Sequence, residues 1–514
     1  DGHHRDAGAS GEADDGSGQP RQIRTRVAAR DDHCVELVRL PGRAGGREVV
    51  DKRVNERVVS GLVDVEEVVV DRRQLRADSQ RFDVYRRGPR VDDQLGHEMT
   101  SQGGATVGVP RLARAATICN GAGREAPVSR QGSSAFSRPT RRRRSYVNLD
   151  EPAVRSYIVD NALMWLRDFH VDGLRIDAVH ALRDTRAQHV LEQLAVEVTA
   201  LEAHVGRPLS LIAESDLNDP RMITAREGGG HGLDAQWADD VHHCLHTVLT
   251  GESQGYYGDF AEAGLDGLAH VLTRGFLHEG TWSSFRRRSH GAPIDTARIP
   301  GSRLVTYLQN HDQIGNRATG DRLTHTLSPG LLACGAALLF TSGFTPMLFM
   351  GEEWGARTPW QFFSRFGDPG LQKAVRDGRR AEFADHGWDD TAEVPDPNAE
   401  STFTDSRLDW SEPEQEPHAT LLRMHRELIA LRRAWPELSD PWLDRIGVDV
   451  HEQARTLVVA RGRMRVVVNL GPEPVTLSLG SEITRILLAS EPTTSDGSSF
   501  TVPAEAFAIC RVAE

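Results

Sequence analysis

The stretch YVNLDEPAVRSYIVDNALMWLRDFHVDGLRIDAVHAL, residues 146–182, reads as one helix followed by one strand, and that pair sets the reading of the whole chain. Asp150, Glu151 and Pro152 open the helix, because a proline at the first helical position lacks only an N–H that would have no partner there. Val154, Ile158, Ala162, Trp165, Leu166 and Phe169 recur at the three-to-four spacing of one helix face, which predicts a helix to about His170. In the VDGLRIDAVH that follows, Leu174, Ile176 and Ala178 alternate with Arg175, Asp177 and Val179, as a short strand requires. Arg175 and Asp177 therefore share a face.

The pattern repeats toward the C-terminus. A helical stretch over residues 185–205 leads to LSLIAES, residues 209–215, a strand ending on Glu214. Residues 233–240, 303–313 and 346–353 read as further strands, with helices at 242–249 and 331–340 between them. Strands separated by helices imply parallel β-α-β units on one sheet. The fold class is therefore α/β, and the five strands read as strands four to eight of a (β/α)8 TIM-type barrel. Residues 358–416 are polar and proline-rich, a helix covers about 418–433, and short strands from Val448 onward, divided by Gly, Pro and Ser, read as an antiparallel β-sandwich. The expected domains are residues 1–145, 146–440 and 441–514.

The first 145 residues are unlike the rest. They hold 26 Arg and 1 Lys against 21 acidic residues, a net of +6, whereas the remainder carries 34 basic and 53 acidic residues, a net of −19. Only Phe82, Tyr85 and Phe136 supply aromatics there, and apart from a possible strand at 62–70 no periodicity is sustained. That composition predicts a segment that is disordered or the product of a wrong start or shifted frame. The run Arg141 to Arg144 lacks interleaved aromatics, so it reads as a solvated charge run rather than a nucleic-acid or membrane patch. The acidic remainder would repel phosphate, so nucleic acid is not an expected partner.

Five scattered Cys without a CxxC pair exclude a disulfide scaffold and a thiolate zinc site. No apolar run reaches the roughly 18 residues of a spanning helix, since residues 331–350 are broken by Thr341, Ser342, Gly343 and Pro346. DGHHRDAGAS has no basic start followed by an apolar stretch, so a cytoplasmic location and no membrane partner are expected.

In a (β/α) barrel the chemistry sits where strands pass into loops, and Asp177, Glu214 and Asp312 all occupy that position. A single strand-end carboxylate is more often a helix cap or an arginine's partner. Three together suit glycoside hydrolysis, which uses one carboxylate as nucleophile, one as acid and base, and can use a third on sugar hydroxyls. Arg175 beside Asp177 would favour its charged form, as a nucleophile needs, and a purely structural ion pair is compatible with that role. His242 and His246 lie four apart on a helix, but no third metal ligand follows, so neither a metal nor any other cofactor is expected. Trp237, Tyr256, Tyr257, Trp282, Trp354 and Trp360 are candidates for stacking on sugar rings, Trp237 foremost; about half are expected in the core instead.

DGLRIDAVH (172–180), LIAESD (211–216) and QNHDQIGNR (309–317) resemble the second, third and fourth conserved regions of the α-amylase clan of glycoside hydrolases. Within the clan, AESDLNDPR, GLDAQWADDVHHCLHTVLTGESQGYYGDF and MGEEWGARTPWQFF resemble the maltooligosyltrehalose trehalohydrolase family, over residues 146–514. The resemblance implies retaining hydrolysis of the α-1,4 bond next to the terminal trehalose of maltooligosyl trehalose, with release of trehalose, downstream of a synthase that forms that substrate. It implies Asp177 as nucleophile, Glu214 as acid/base and Asp312 as stabiliser of the transition state. It further implies sugar contacts from Arg175, His180 and His311, and outer contacts from Asp239, Asp240, His242, His243, Gln313 and Asn316. The clan's first region, of Asp-xxx-Asn-His type, has no counterpart in residues 1–145, nor do the first three strands. Another clan glucan enzyme, branching or debranching, and an inactive glucan-binding fragment are the alternative readings.

Overall fold

In a computed structural model of the chain, the described residues are 146–385 and 394–514, together with the short strands Ile23–Ala28, Cys34–Arg39, Glu48–Arg53, Val69–Val70 and Phe136–Ser137. The chain divides into two compact units, one formed by Asp1–Pro110 with Met164–Asp172 and the other by Arg111–Leu163 with Gly173–Glu514. In the first unit the four strands between 23 and 70 pair antiparallel in chain order. Of the strand expected at 62–70, Val69–Val70 fall among the described residues and are a strand. The other expectations for residues 1–145, including the Arg141 to Arg144 run, lie outside the described residues.

The helix predicted after Asp150 spans Pro152–Arg167, with proline at its first position. It stops short of His170, which takes a left-handed φ of 58°. In the second unit a five-stranded parallel sheet follows, Gly173–Ile176, Ser210–Ala213, Ala235–Trp237, Leu304–Thr306 and Thr345–Pro346, with neighbours in the sheet also neighbours in sequence. Among the described residues no other strand joins it. Helices Val190–Val205, Asp239–Thr250, Gly258–Arg274 and Pro329–Thr341 make the crossovers. Gly173 allows the first two strands to approach, since a Cβ there would meet the Ser210 carbonyl oxygen at 2.9 Å.

Each strand is shorter than the alternation predicts. The expected strand at 346–353 keeps only Thr345–Pro346, because Gly351 and Gly355 adopt φ of 86° and 67° and bend Glu352–Trp354 into a 3-10 turn. The polar segment at 358–416 contains helices Pro369–Asp385 and Glu400–Thr404, which were not expected. A hairpin, Thr281–Ser283 with Arg288–His290, was likewise not foreseen.

The helix Pro329–Thr341 starts on Ser328, whose hydroxyl accepts the Leu331 N–H at 3.1 Å. Its last carbonyls have no helical partners, and arginines supply them: the half-buried Arg432 donates to Phe340, and to Ser342 and Phe344 just beyond the helix, and the buried Arg461 donates to Thr341. The C-terminal part holds a five-stranded antiparallel sheet from Ile446–His451 to Ala506–Val512 and a three-stranded one around Ser499–Val502. Val458, Val467, Phe500, Val502 and Ala508 form one buried cluster drawn from both sheets, the packing of a sandwich.

Candidate active site

The register of the parallel sheet gathers the site. Ala213 lies opposite both Ile176 and Gln236, so Asp177 and Glu214 leave adjacent strand ends at the same level. Val305 lies opposite Trp237, which puts Tyr307 level with Asp239.

Arg175 and Asp177 point to one side, as their spacing requires, and the guanidinium donates to Asp177 Oδ1 at 2.7 Å. A second nitrogen of Arg175 stands 3.9 Å from Asp312 Oδ2. The remaining face of the guanidinium lies 4.4 Å from the centre of the Trp237 ring. One arginine thus joins Asp177 to Asp312, which was expected at a strand end but lies in the short helix His311–Gly315 beyond the strand Leu304–Thr306, and rests on the indole. Ala178, next in the chain, holds a left-handed φ of 46° and ψ of 47°, a costly backbone for a residue with a Cβ. In that conformation its N–H donates to Glu214 Oε2, while the Val179 N–H donates to the Glu214 carbonyl at 3.0 Å.

Burial raises the Glu214 carboxyl to about 6; Asp239 and Asp177 add to the rise, while Arg175 and the Ala178 N–H offset part of it. Burial likewise raises Asp239 to about 6, against the hydrogen bond from Tyr307 and with the charges of Asp240, Asp216 and Asp312. His311 Nε2 stands 3.4 Å from Asp312 Oδ2, and His180 Nδ1 is 3.4 Å from Asp216 Oδ1. Asp216 also pairs with Arg286 of the hairpin at 3.3 Å.

Of the other expected contacts, Asp240, His242 and His243 are buried. Asp240 turns inward, where its Oδ2 accepts from Asn218, the Leu277 N–H and the His278 N–H at 2.8, 2.8 and 2.9 Å. His242 and His243 are buried; burial lowers His242 to about 3 and holds His243 well below an ordinary imidazole. His242 Nε2 is 3.4 Å from the Tyr257 hydroxyl. Gln313 accepts from the Tyr256 hydroxyl at 3.2 Å, and the exposed Asn316 accepts from Arg379 at 3.2 Å. Trp237, the foremost stacking candidate, is only 4 % exposed and covered by Arg175, whereas Trp282 on the hairpin is 64 % exposed. Among the described residues no group of three or more His, Cys, Asp or Glu side chains is gathered as for a metal ion.

Three participants escaped the sequence reading. Tyr307 sits fully buried inside a strand pattern and reads as core. Asp216 lies within LIAESD, two residues past Glu214, and the motif itself was the signal. Arg286 reaches the site from the hairpin, and nothing in the sequence foretells that.

Comparison with known proteins adds the kinship. The chain is 57 % identical over 332 residues to a malto-oligosyltrehalose trehalohydrolase of Arthrobacter ramosus, covering 64 % of this chain and 56 % of that one. It is 50 % identical over 365 residues to the enzyme of the same name from Mycobacterium tuberculosis, covering 71 % of this chain and 62 % of the relative. The chain therefore spans little more than half the length of the curated relatives it matches. Residues 441–509 match a domain family of unknown function, DUF3459. Among solved structures, a 1.4 Å crystal structure of a proposed α-amylase from Salmonella typhimurium aligns with TM-score 0.64 at 34 % identity, over 74 % of this chain and 64 % of that one.

Proposed function

The chain is related over 332 to 369 residues to the malto-oligosyltrehalose trehalohydrolases, and from that premise we propose that it hydrolyses the α-1,4 bond next to the terminal trehalose of a maltooligosyl trehalose, releasing trehalose. The observation that carries the chemistry is that Asp177 and Glu214 leave adjacent strand ends while Arg175 bonds Asp177 and stands 3.9 Å from Asp312.

In this reading Asp177, oriented by Arg175, attacks the anomeric carbon. Glu214 gives its proton to the oxygen of the departing trehalose. Water then cleaves the glycosyl ester on Asp177, with Glu214 now taking the proton, so the anomeric configuration is retained. A carboxyl raised to about 6 still holds its proton at a pH where an ordinary glutamate has lost it, which suits the acid step. Asp312 and His311, at 3.4 Å from each other, flank the reacting sugar, and Arg175 and His180 hold its hydroxyls. Gln313 and Asn316 extend the sugar contacts outward. Asp240, His242 and His243 support the wall behind them.

The substrate must come from a reaction class that builds a terminal trehalose on a maltooligosaccharide. Three buried unpaired thiols, Cys244, Cys334 and Cys510, support a cytoplasmic setting. A branching or debranching activity has thinner support: a branching enzyme of Geobacillus stearothermophilus is 33 % identical over only 100 residues. Product analysis separates the readings. Maltotriosyl trehalose should yield free trehalose while a plain maltooligosaccharide of equal length is spared; cleavage of both, or transfer of a glucan branch, would refute the assignment.

A further inference from the structure

The segment that follows the strand Ser210–Ala213 is held from outside by the hairpin of Thr281–Ser283 and Arg288–His290, which is itself fixed at its base. The Gly280 N–H donates to the His290 carbonyl at 2.7 Å, and the Ser284 N–H to Asp259 Oδ2 at 2.9 Å. His278 Nε2 stands 3.2 Å from the same Asp259 oxygen. Gly291 makes the close return possible, because at its φ of 76° a Cβ would overlap the His278 carbonyl oxygen. Just beyond, the Ala292 N–H donates to the Asn218 carbonyl at 3.1 Å, which ties the exit of the hairpin to the segment after Glu214.

Arg286, in the turn of the hairpin, reaches the same segment with its side chain. Its Nε donates to His290 Nε2 at 3.2 Å. His290 is buried, and burial together with the charge of Arg286 holds the ring at about 4, so Nε2 remains an acceptor at neutral pH. A planar guanidinium fixed at Nε has its outer nitrogens aimed, and here Nη2 donates to the Asp216 carbonyl at 3.3 Å and stands 3.3 Å from Asp216 Oδ2. The other carboxylate oxygen of Asp216 is 3.4 Å from His180 Nδ1. Asp216 is thus held by backbone and side chain together, two residues past Glu214 and beside His180. We propose that Arg286 is a positioning residue for the reaction: through Asp216 it fixes both the segment that carries Glu214 and the ring of His180. The inference rests on the roles proposed for Glu214 as acid/base and His180 as a sugar contact. Arg286 is suited to this and dispensable to the hairpin, whose base is closed by the bonds at Gly280, Ser284 and Ala292, none of which uses the guanidinium.

The test reads the segment and the turnover separately, on the full chain. In Arg286→Ala, amide hydrogen exchange followed by mass spectrometry should rise in peptides covering residues 214–218 and stay unchanged in the helix Asp239–Thr250. The same variant should lower kcat/KM for trehalose release from maltotriosyl trehalose by about 10²-fold. In an Asp216→Asn background the same substitution should cost roughly tenfold less, since the carbonyl bond is then all that remains to lose. Guanidinium ion, added far below denaturing concentrations, should restore part of the rate to Arg286→Ala. Arg286→Lys, which keeps the charge but cannot bond His290 and Asp216 at once, should move exchange and rate in the same directions by less, and decides the matter if the alanine variant does not fold. Equal losses in the two backgrounds overturn the proposal, because Arg286 would then touch the sugar itself. Exchange unmoved in both variants overturns it as well. Raised exchange in a chain whose parent releases no trehalose would uphold the tether and refute the trehalohydrolase reading; release with unmoved exchange would do the reverse.

Discussion

Glu214 and Asp177 differ by what surrounds them rather than by their chemistry. Asp177 is exposed and bonded to Arg175, while Glu214 is partly buried and raised to about 6 by burial and by Asp239 and Asp177. The acid step needs the protonated form, so trehalose release at saturating substrate should fall as pH rises through about 6. Glu214→Gln should cost about 10²–10⁴-fold in kcat with little change in KM, read by steady-state kinetics; an unaltered kcat would remove Glu214 from the mechanism. Ala178 carries backbone strain to point its N–H at Glu214. Ala178→Gly should keep activity, whereas Ala178→Val, with a β-branched side chain in left-handed backbone, should destabilise by about 1–3 kcal/mol in chemical denaturation and lose activity with it. The pairing of Arg175 with Asp177 was legible because alternation puts residues two apart on one face. Tyr307 with Asp239 was not, since it depends on the register of strands separated by 68 residues. Trp237 was misread because an aromatic at a strand end looks the same in sequence whether a sugar or an arginine covers it.

At the level of elements, the order of helices and strands was readable from periodicity, but the strand ends were not. Glycines at 351 and 355 cut the last strand, and only the left-handed φ they take reveals it. Helix Pro369–Asp385 was missed because PGLQKAVRDGRRAEFAD presents few apolar residues at helical spacing. Two predictions belong here. Gly173→Ala would drive a Cβ to 2.9 Å from the Ser210 carbonyl oxygen and 3.2 Å from its Cβ, so the first two strands must part. The expected cost is about 1–3 kcal/mol, with a matching loss of activity, and thermal unfolding measures it; an unchanged midpoint would show that the strands yield freely. The helix Asp239–Thr250 and its surroundings bury several histidines. Burial holds His242 at about 3 and, with Arg286, His290 at about 4, against an ordinary 6.5. Their contribution to stability is complete above about 6.5 and lost as pH falls toward those values. Glu252 adds to it: burial alone would raise it, but His246 and Arg317 hold it at about 2, so its contribution also fades on acidification, from about 4.5 downward. Denaturation midpoints should therefore drop steeply between about pH 6 and 4, and a flat profile there would contradict the burial of these rings.

Over the whole molecule, charge and aromatic content divide the chain near residue 145, and the second part carries both the acid trio and the net of −19. The residues assigned to the chemistry lie on or beyond the parallel strands Gly173–Ile176, Ser210–Ala213, Ala235–Trp237 and Leu304–Thr306, and none lies in the antiparallel C-terminal sheets. The chain spans 56 to 62 % of the length of the first trehalohydrolases it matches, so its own turnover is the central claim to test. The decisive measurement is trehalose release from maltotriosyl trehalose by the purified full chain, with Asp177→Asn alongside. The account predicts free trehalose from the parent chain and none above background from the variant. Absence of trehalose from the parent, or release that survives loss of the Asp177 carboxylate, would contradict it.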